Sequence, residues 1–209
     1  MITQLPLSFS PSSPFLLACS GGVDSMAIAD FYHRGNKPFS IAYFNHATSQ
    51  ADQTESFLRS YSAKRNIPFL TSKLIFDKPK SESLEEYWRK ARYSWLRSFS
   101  KPIVTAHHLN DVMETWIFSS LNGNPKIICQ ENDGVFRPFL LNSKEELKSW
   151  CIRHEVPWVE DQSNNDVHFP RNRIRHNILP EALMVNPGLG KVLRKKILKI
   201  NKNATVVQW

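Results

Sequence analysis

Cysteine is scarce and scattered: three in 209 residues, Cys19, Cys129 and Cys151, with no C-x-x-C pair. That excludes a zinc ribbon or a close three-cysteine cluster and fits a reducing, cytoplasmic compartment or an equivalent such as a plastid stroma. No apolar run approaches the ~20 residues of a membrane span, so no membrane association is expected. No Lys or Arg precedes Arg34, so the short apolar stretch 15–19 (FLLAC) lacks the charged flank of an export signal. Neither G-x-x-x-x-G-K-[ST] nor G-x-G-x-x-G occurs, which argues against a P-loop GTPase and a dinucleotide dehydrogenase. Acid is also nearly missing from one end. From Arg171 onward nine Lys or Arg face a single acid, Glu181, whereas the first 170 residues hold 18 of each sign. The whole net charge of +8 is therefore local, and a basic end of this kind most often meets nucleic acid or an anionic surface.

With 41% hydrophobic and 22% charged residues, the chain has room for one full core and a small appendage. Short apolar runs alternate with amphipathic stretches. Strands are predicted at 15–19, 39–44, 68–70 (reaching toward 74) and 102–106, and helices at 23–34, 52–65, 83–99 and 107–121. Ser83 with Glu86, and later Ser143 with Glu146, form capping boxes, and Trp88, Ala91, Trp95 and Phe99 mark one face of the third helix. The alternation predicts an α/β fold, a doubly wound, mostly parallel sheet with helices on both faces. Residues 1–14 read as a lead-in, 15–136 as the sheet domain, and 137–209 as a helical extension with a basic tail. After residue 121, 122–133 reads as loop, 135–141 as a strand-like connection, 143–154 as a helix and 189–202 as a basic amphipathic helix. Leu189, Leu193, Ile197 and Ile200 line one side of that last helix, and Lys191, Lys195, Lys199 and Lys202 another.

Ser20, Gly21, Gly22, Val23, Asp24 and Ser25 follow the first apolar strand and open a helix. Adjacent glycines let the backbone approach a ligand closely. The helix start offers unpaired N–H groups and the positive end of its dipole, and the serines add hydroxyls. Together these form a nest for a pyrophosphate. A second cluster follows the strand at 102–106: His107-His108-Leu109-Asn110-Asp111-Val112-Met113-Glu114-Thr115. Asp111 and Glu114 share a helix face, and His107 lies one turn before Asp111. Such a group can bind Mg²⁺ or orient a nucleophile. First-turn acids also serve as caps, and paired imidazoles suit zinc, so those readings stay open.

The loop resembles that of the PP-loop, or N-type, ATP pyrophosphatases, a family that holds released pyrophosphate there while adenylating its substrate. Further blocks narrow the resemblance to the tRNA(Ile)-lysidine synthetases, in a short form. Residues 107–115 are similar to H-H-x-D-D-x-x-E-T. Arg89-Lys90-Ala91-Arg92-Tyr93 is similar to A-R-x-x-R-Y. Arg137-Pro138, Glu160-Asp161-Gln162-Ser163-Asn164 and Arg171-Asn172-Arg173-Ile174-Arg175 keep the family's order and spacing.

The resemblance implies ATP and Mg²⁺ as cofactors. It also implies adenylation of C2 of the wobble cytidine in minor isoleucine tRNA, then attack by free lysine to give lysidine. Asp24 and Asp111 are expected near magnesium. Asp111, Glu114, Arg92 and His107 are expected to serve catalysis, and His46 to join the loop in binding ATP. Arg137, Arg171, Asn172, Arg173, Arg175, Lys191, Lys195 and Lys199 are expected to face RNA, with core packing as the reading for Trp158 and Phe169. The family usually carries additional C-terminal domains that grip the tRNA, so a minimal enzyme stands beside a grip supplied by the short tail, by a homodimer or by another chain. Departures occur as well. The family's V-D-H-G-L-R is here Phe44-Asn45-His46-Ala47-Thr48-Ser49, the first Asp of the double-Asp motif is Asn110, and an Arg-Gly is replaced by Asn122-Gly123. Two other readings stand beside lysidine synthesis. One is another PP-loop tRNA enzyme such as a thiolase, which the absent C-x-x-C disfavours. The other is a weakened homologue that only binds nucleotide or tRNA.

Overall fold

The computed structural model describes residues 14–75, 83–160 and 169–200, together with residues 5, 7 and 11. Asp161 to Asn164 and Lys202 lie outside the described residues, as does most of the lead-in. Four parallel strands form first: β1 (Phe15–Ala18), β2 (Phe39–Asn45), β3 (Phe69–Lys73) and β4 (Ile103–Thr105). Helices α1 (Val23–Arg34), α2 (Ala51–Ala63) and α3 (Leu84–Arg97) connect them, and α4 (Leu109–Leu121) follows β4. A hairpin, β5 (Glu131–Asn132) and β6 (Val135–Phe136), completes a six-stranded sheet in the order β3-β2-β1-β4-β6-β5. Only β5 runs antiparallel. The fold is thus the expected doubly wound α/β sheet, and the order in which strands are added reverses between β1 and β4. The C-terminal ends of those two strands bound a crevice suited to ligands.

Alternation along the strands explains the two layers. Phe15, Leu17, Ile41 and Val104 face α1 and α2 in one core, together with Phe139 and with Leu147, Trp150 and Cys151 of α5 (Lys144–Arg153). Leu16, Ala42 and Ile103 face the other way, against Tyr93 and Leu96 of α3. The α3 face therefore centres on Tyr93 and Leu96, not on Trp88 and Ala91 as its spacing predicts. Ser83 caps α3 by accepting the Glu86 N–H (3.2 Å), but the Glu86 carboxylate turns to Lys90 (3.2 Å), so that box is half made. The Ser143–Glu146 box is complete.

The 122–133 segment, predicted as loop, ends in β5. Asp133 (φ 52°) and Gly134 (φ 70°) turn the chain back in two left-handed residues, the geometry an Asp-Gly hairpin turn needs. The strand-like stretch predicted at 135–141 shrinks to β6. The Arg-rich block is helical: α6 (Pro170–Arg173), a π-helical turn (Ile174–Ile178) and α7 (Leu179–Val185). The last helix, α8 (Leu189–Ile200), packs Leu189, Leu193 and Ile197 on Leu109, Val112, Met113 and Ile117 of α4, while Ile200 stays exposed. Gly190 permits this approach, since a Cβ there would sit 3.3 Å from the Leu109 side chain.

Candidate active site

The loop after β1 is built by close packing. Gly21 has φ +81°, and a Cβ on it would lie 2.8 Å from Thr54 Cγ2, so both backbone and space require glycine. Ser25 is buried, and its hydroxyl donates to the Gly22 carbonyl (2.9 Å), with Ser20 Oγ 3.4 Å away. Val159 N–H donates to the Gly21 carbonyl (2.9 Å), so the segment after α5 braces the loop from outside. Val23 and Asp24 open α1, with Asp24 in its first turn.

Across the crevice, α4 begins with a chain of charges. The His108 N–H donates to Asp111 Oδ2 (2.9 Å). The His108 ring lies between two acids: Nε2 is 3.5 Å from Asp24 Oδ2, and Nδ1 is 3.5 Å from Asp111 Oδ2. Burial alone would lower its pKa, but Asp111 and then Asp24 outweigh burial and raise it. Burial alone would raise Asp111, yet His108, His107 and Arg175 together hold it below the usual carboxylate range. Arg175 reaches in from the π-helical turn. It donates through Nε and Nη2 to both oxygens of the buried Glu114 (2.7 and 2.9 Å) and lies 3.6 Å from Asp111 Oδ1. Three carboxylates, the His108 imidazole and the Arg175 guanidinium thus run from the loop to the first turns of α4.

The structure revises several expected roles. His107 does not enter this chain. Its Nδ1 is 2.7 Å from Thr105 Oγ1, and burial, with help from Arg137 and Arg92, pulls its pKa down to about 4. His108, which the sequence reading passed over, holds the central place. Arg175, expected to face RNA, turns inward onto Glu114. Arg137 is also not on the surface: it is 7% exposed and donates to the carbonyls of Cys129 (3.0 Å) and Val135 (3.4 Å), tying the hairpin together. Arg171, Arg173, Lys191, Lys195 and Lys199 are exposed and Asn172 half-buried. Trp158 packs against the main core as expected, whereas Phe169 is 44% exposed.

Arg92 lies half-buried on α3, and its charge weighs on both His46 and His107. His46, at the end of β2, is held at about 4 by burial and then by Arg92. The departures have local partners. Asn45 is fully buried; its amide donates to Asp52 (2.8 Å) and Glu55 (3.1 Å), and its carbonyl accepts the Ala47 N–H (2.9 Å). Ala47 takes φ 59°, a left-handed conformation that glycine adopts more cheaply. Asn110 accepts the Lys144 N–H (3.0 Å) and so ties the start of α5 to α4.

Magnesium fits this site in part. Asp24 Oδ1 is buried and without a hydrogen-bond partner, as a metal-binding oxygen would be. Asp111 has both oxygens facing His108 or Arg175. Among the described residues no group of three ligating side chains gathers. Mg²⁺, where it binds, takes one or two carboxylates and completes its shell with phosphate and water. The three cysteines are free. No described helix is long and apolar enough to cross a membrane.

Comparison with known proteins bears on the fold and the family. Among solved structures, the NMN synthetase of Francisella tularensis shares the fold with a TM-score of 0.55 at 11% identity, covering 95% of this chain and 90% of that one. The NH3-dependent NAD synthetase of Campylobacter jejuni gives 0.51 at 15% identity, covering 96% and 90%. Curated relatives are nearer in sequence. The tRNA(Ile)-lysidine synthase of Haemophilus ducreyi is 31% identical over 92% of this chain and 47% of its own length. That of Petrotoga mobilis is 31% identical over 86% and 63%. The chain spans about half the length of several of the curated relatives it matches. A family model described as the PP-loop domain matches residues 2–182, which hold the whole sheet and the helices into α7, and the chain belongs to that family.

Proposed function

We propose that this chain uses ATP to modify tRNA by the lysidine reaction. The observation that carries the reading is the charge chain from Asp24 through His108, Asp111 and Glu114 to Arg175, set directly across from the phosphate loop. In the first step the C2 oxygen of the wobble cytidine attacks the α-phosphorus of ATP, and pyrophosphate leaves into the loop 20–25. Loop N–H groups and the Ser20 hydroxyl accept its charge. Magnesium, held by Asp24 and the phosphates, supplies charge neutralisation when bound. Arg92 and Arg175 stabilise negative charge developing on the phosphates, and Glu114 keeps the Arg175 guanidinium oriented.

In the second step the ε-amine of lysine forms the C–N bond at C2, and the C–O bond to the adenylate breaks, releasing AMP. Asp111 is the acceptor for the incoming ammonium and for the proton it must lose. Lys191, Lys195 and Lys199 on the outer side of α8, with Arg171 and Arg173, contact the RNA backbone.

The test is incubation with ATP, radiolabelled lysine and minor isoleucine tRNA. Label in the RNA is expected. Pyrophosphate release without lysine transfer overturns the assignment in favour of another nucleophile. Salt-sensitive tRNA binding with no turnover leaves a binding-only homologue. Asp111→Asn should abolish transfer while the fold survives.

A further inference from the structure

Position 88 is the alanine position of the A-R-x-x-R-Y pattern, and this chain carries Trp there. The substitution builds something specific. The Trp88 indole lies 5.1 Å from the His46 ring, tilted 35°. His46 in turn meets Phe44 edge-on at 5.1 Å, Phe44 meets Trp95 at 5.7 Å, and Trp95 meets Phe99 at 5.4 Å. Five rings therefore run in one ladder. Its inner members, Trp95 and Phe99, pack against the α3 core, and Phe44 is buried. Its outer members, Trp88 and His46, are half-exposed at the C-terminal end of β2, one strand from the phosphate loop.

Three facts give this outer end the character of a base-binding surface. His46 is neutral near pH 7, so its ring stacks without a charge to hydrate. Its Nδ1 is buried without a hydrogen-bond partner, a polar atom left for a ligand. Arg92 follows Trp88 by one helical turn and places a cation beside the same ring pair. Aromatic faces with an adjacent guanidinium hold nucleobases with little dependence on sequence.

We propose that Trp88 and His46 form a stacking shelf for a nucleobase. The inference rests on the ATP- and tRNA-using reading above. Two sources share this chemistry, the adenine of ATP and an unpaired base of the RNA, and two measurements separate them.

The first uses an anticodon stem-loop with the fluorescent base pyrrolo-cytidine at the wobble position. If the RNA base stacks here, wild type quenches it, and Trp88→Ala loses the quench and binds between about five- and about a hundredfold more weakly. The second compares ATP with inorganic pyrophosphate. If adenine stacks here, Trp88→Ala weakens ATP by a similar factor and leaves pyrophosphate unchanged. In either case Trp88→Phe, which keeps a ring, retains most of the binding. Unchanged affinity within twofold in both measurements overturns the shelf. So does equal loss in Trp88→Phe and Trp88→Ala, or equal loss of ATP and pyrophosphate binding, which mark a structural role. Lysine transfer by wild type with no effect of Trp88→Ala sinks the shelf and spares the reaction. A Trp88-dependent quench in a protein that transfers no lysine does the reverse.

Discussion

Gly21 and Gly22 are neighbours in the same loop, yet an added methyl should have very different consequences at the two positions. At Gly21 it meets two penalties. The backbone sits at φ +81°, where an L-residue loses about 1–2 kcal/mol. The Cβ also lands 2.8 Å from Thr54 Cγ2, on a buried side chain, an overlap that costs about 1–3 kcal/mol to relieve. Gly21→Ala should therefore lose about 2–5 kcal/mol in urea unfolding, or roughly 4–20 °C of melting temperature for a chain of this size. Gly22 has φ −73°, and its nearest neighbour would be Ser20 Oγ at 3.5 Å, so Gly22→Ala should stay within about 1 kcal/mol of wild type. The two penalties can be separated with Thr54→Ser, which removes Cγ2 and keeps the hydroxyl bond to the Gln50 carbonyl (3.1 Å). In the wild-type background that change deletes a buried methyl and costs about 1 kcal/mol. In the Gly21→Ala background relief of the overlap offsets that cost, so the net change should be about 0–2 kcal/mol of stabilisation. Equal effects of Thr54→Ser in both backgrounds, or equal losses at Gly21 and Gly22, would refute the reasoning.

Arg175→Ala should cost about 3–5 kcal/mol, because Glu114 is only 6% exposed and would be left without its cation. Adding Glu114→Gln should recover much of that loss in urea titrations, and strictly additive losses would count against the pairing. Asn45→Asp puts a third carboxylate, fully buried, against Asp52 and Glu55. It should lose about 2–4 kcal/mol at pH 7, and less at pH 4.5 or with Glu55→Gln. A loss independent of pH would contradict this. His46 remains neutral in the native protein down to about 4, while the unfolded chain takes up a proton below about 6.5. Its burial therefore draws down stability as the pH falls from about 6.5 to about 4, by at most about 3 kcal/mol and less after solvent screening. His46→Gln should flatten that part of the stability–pH curve, and an unchanged slope would exclude it.

The sheet was legible because short apolar runs alternate with amphipathic stretches, and because Ser83 marks the start of α3 within one turn. The phosphate loop was legible for the same reason, since Ser20 to Ser25 hold all of its chemistry locally. β5 was missed because two exposed residues, Glu131 and Asn132, have no apolar pattern, although Asp133-Gly134 carries the turn signal. Choosing between His107 and His108 needed the end of β4, where Thr105 takes the first ring and leaves the second beside Asp24 and Asp111. The pairing of Arg175 with Glu114 spans 61 residues, and no local periodicity encodes it. Composition alone placed Arg175 on an RNA-facing surface, and composition cannot tell an inward cation from an outward one.

The local charge excess consequently divides into two parts with different roles. Arg175 and Arg194 turn toward acids of α4 and α5, Glu114 at 2.7 Å and Glu146 at 3.4 Å. Lys191, Lys195 and Lys199 stay on the exposed side of α8. The buried side of that helix packs on α4 through Leu189, Leu193 and Ile197, and α4 is the element that carries Asp111 and Glu114. The outward lysines and the inward acids are therefore two faces of one packed helix pair. Close packing transmits displacement rather than absorbing it. On the proposed reading, RNA held by the lysines loads the same helix that presents Asp111 to the incoming amine. On the same reading, the packing of α8 on α4 puts substrate grip and charge chain on adjoining helices.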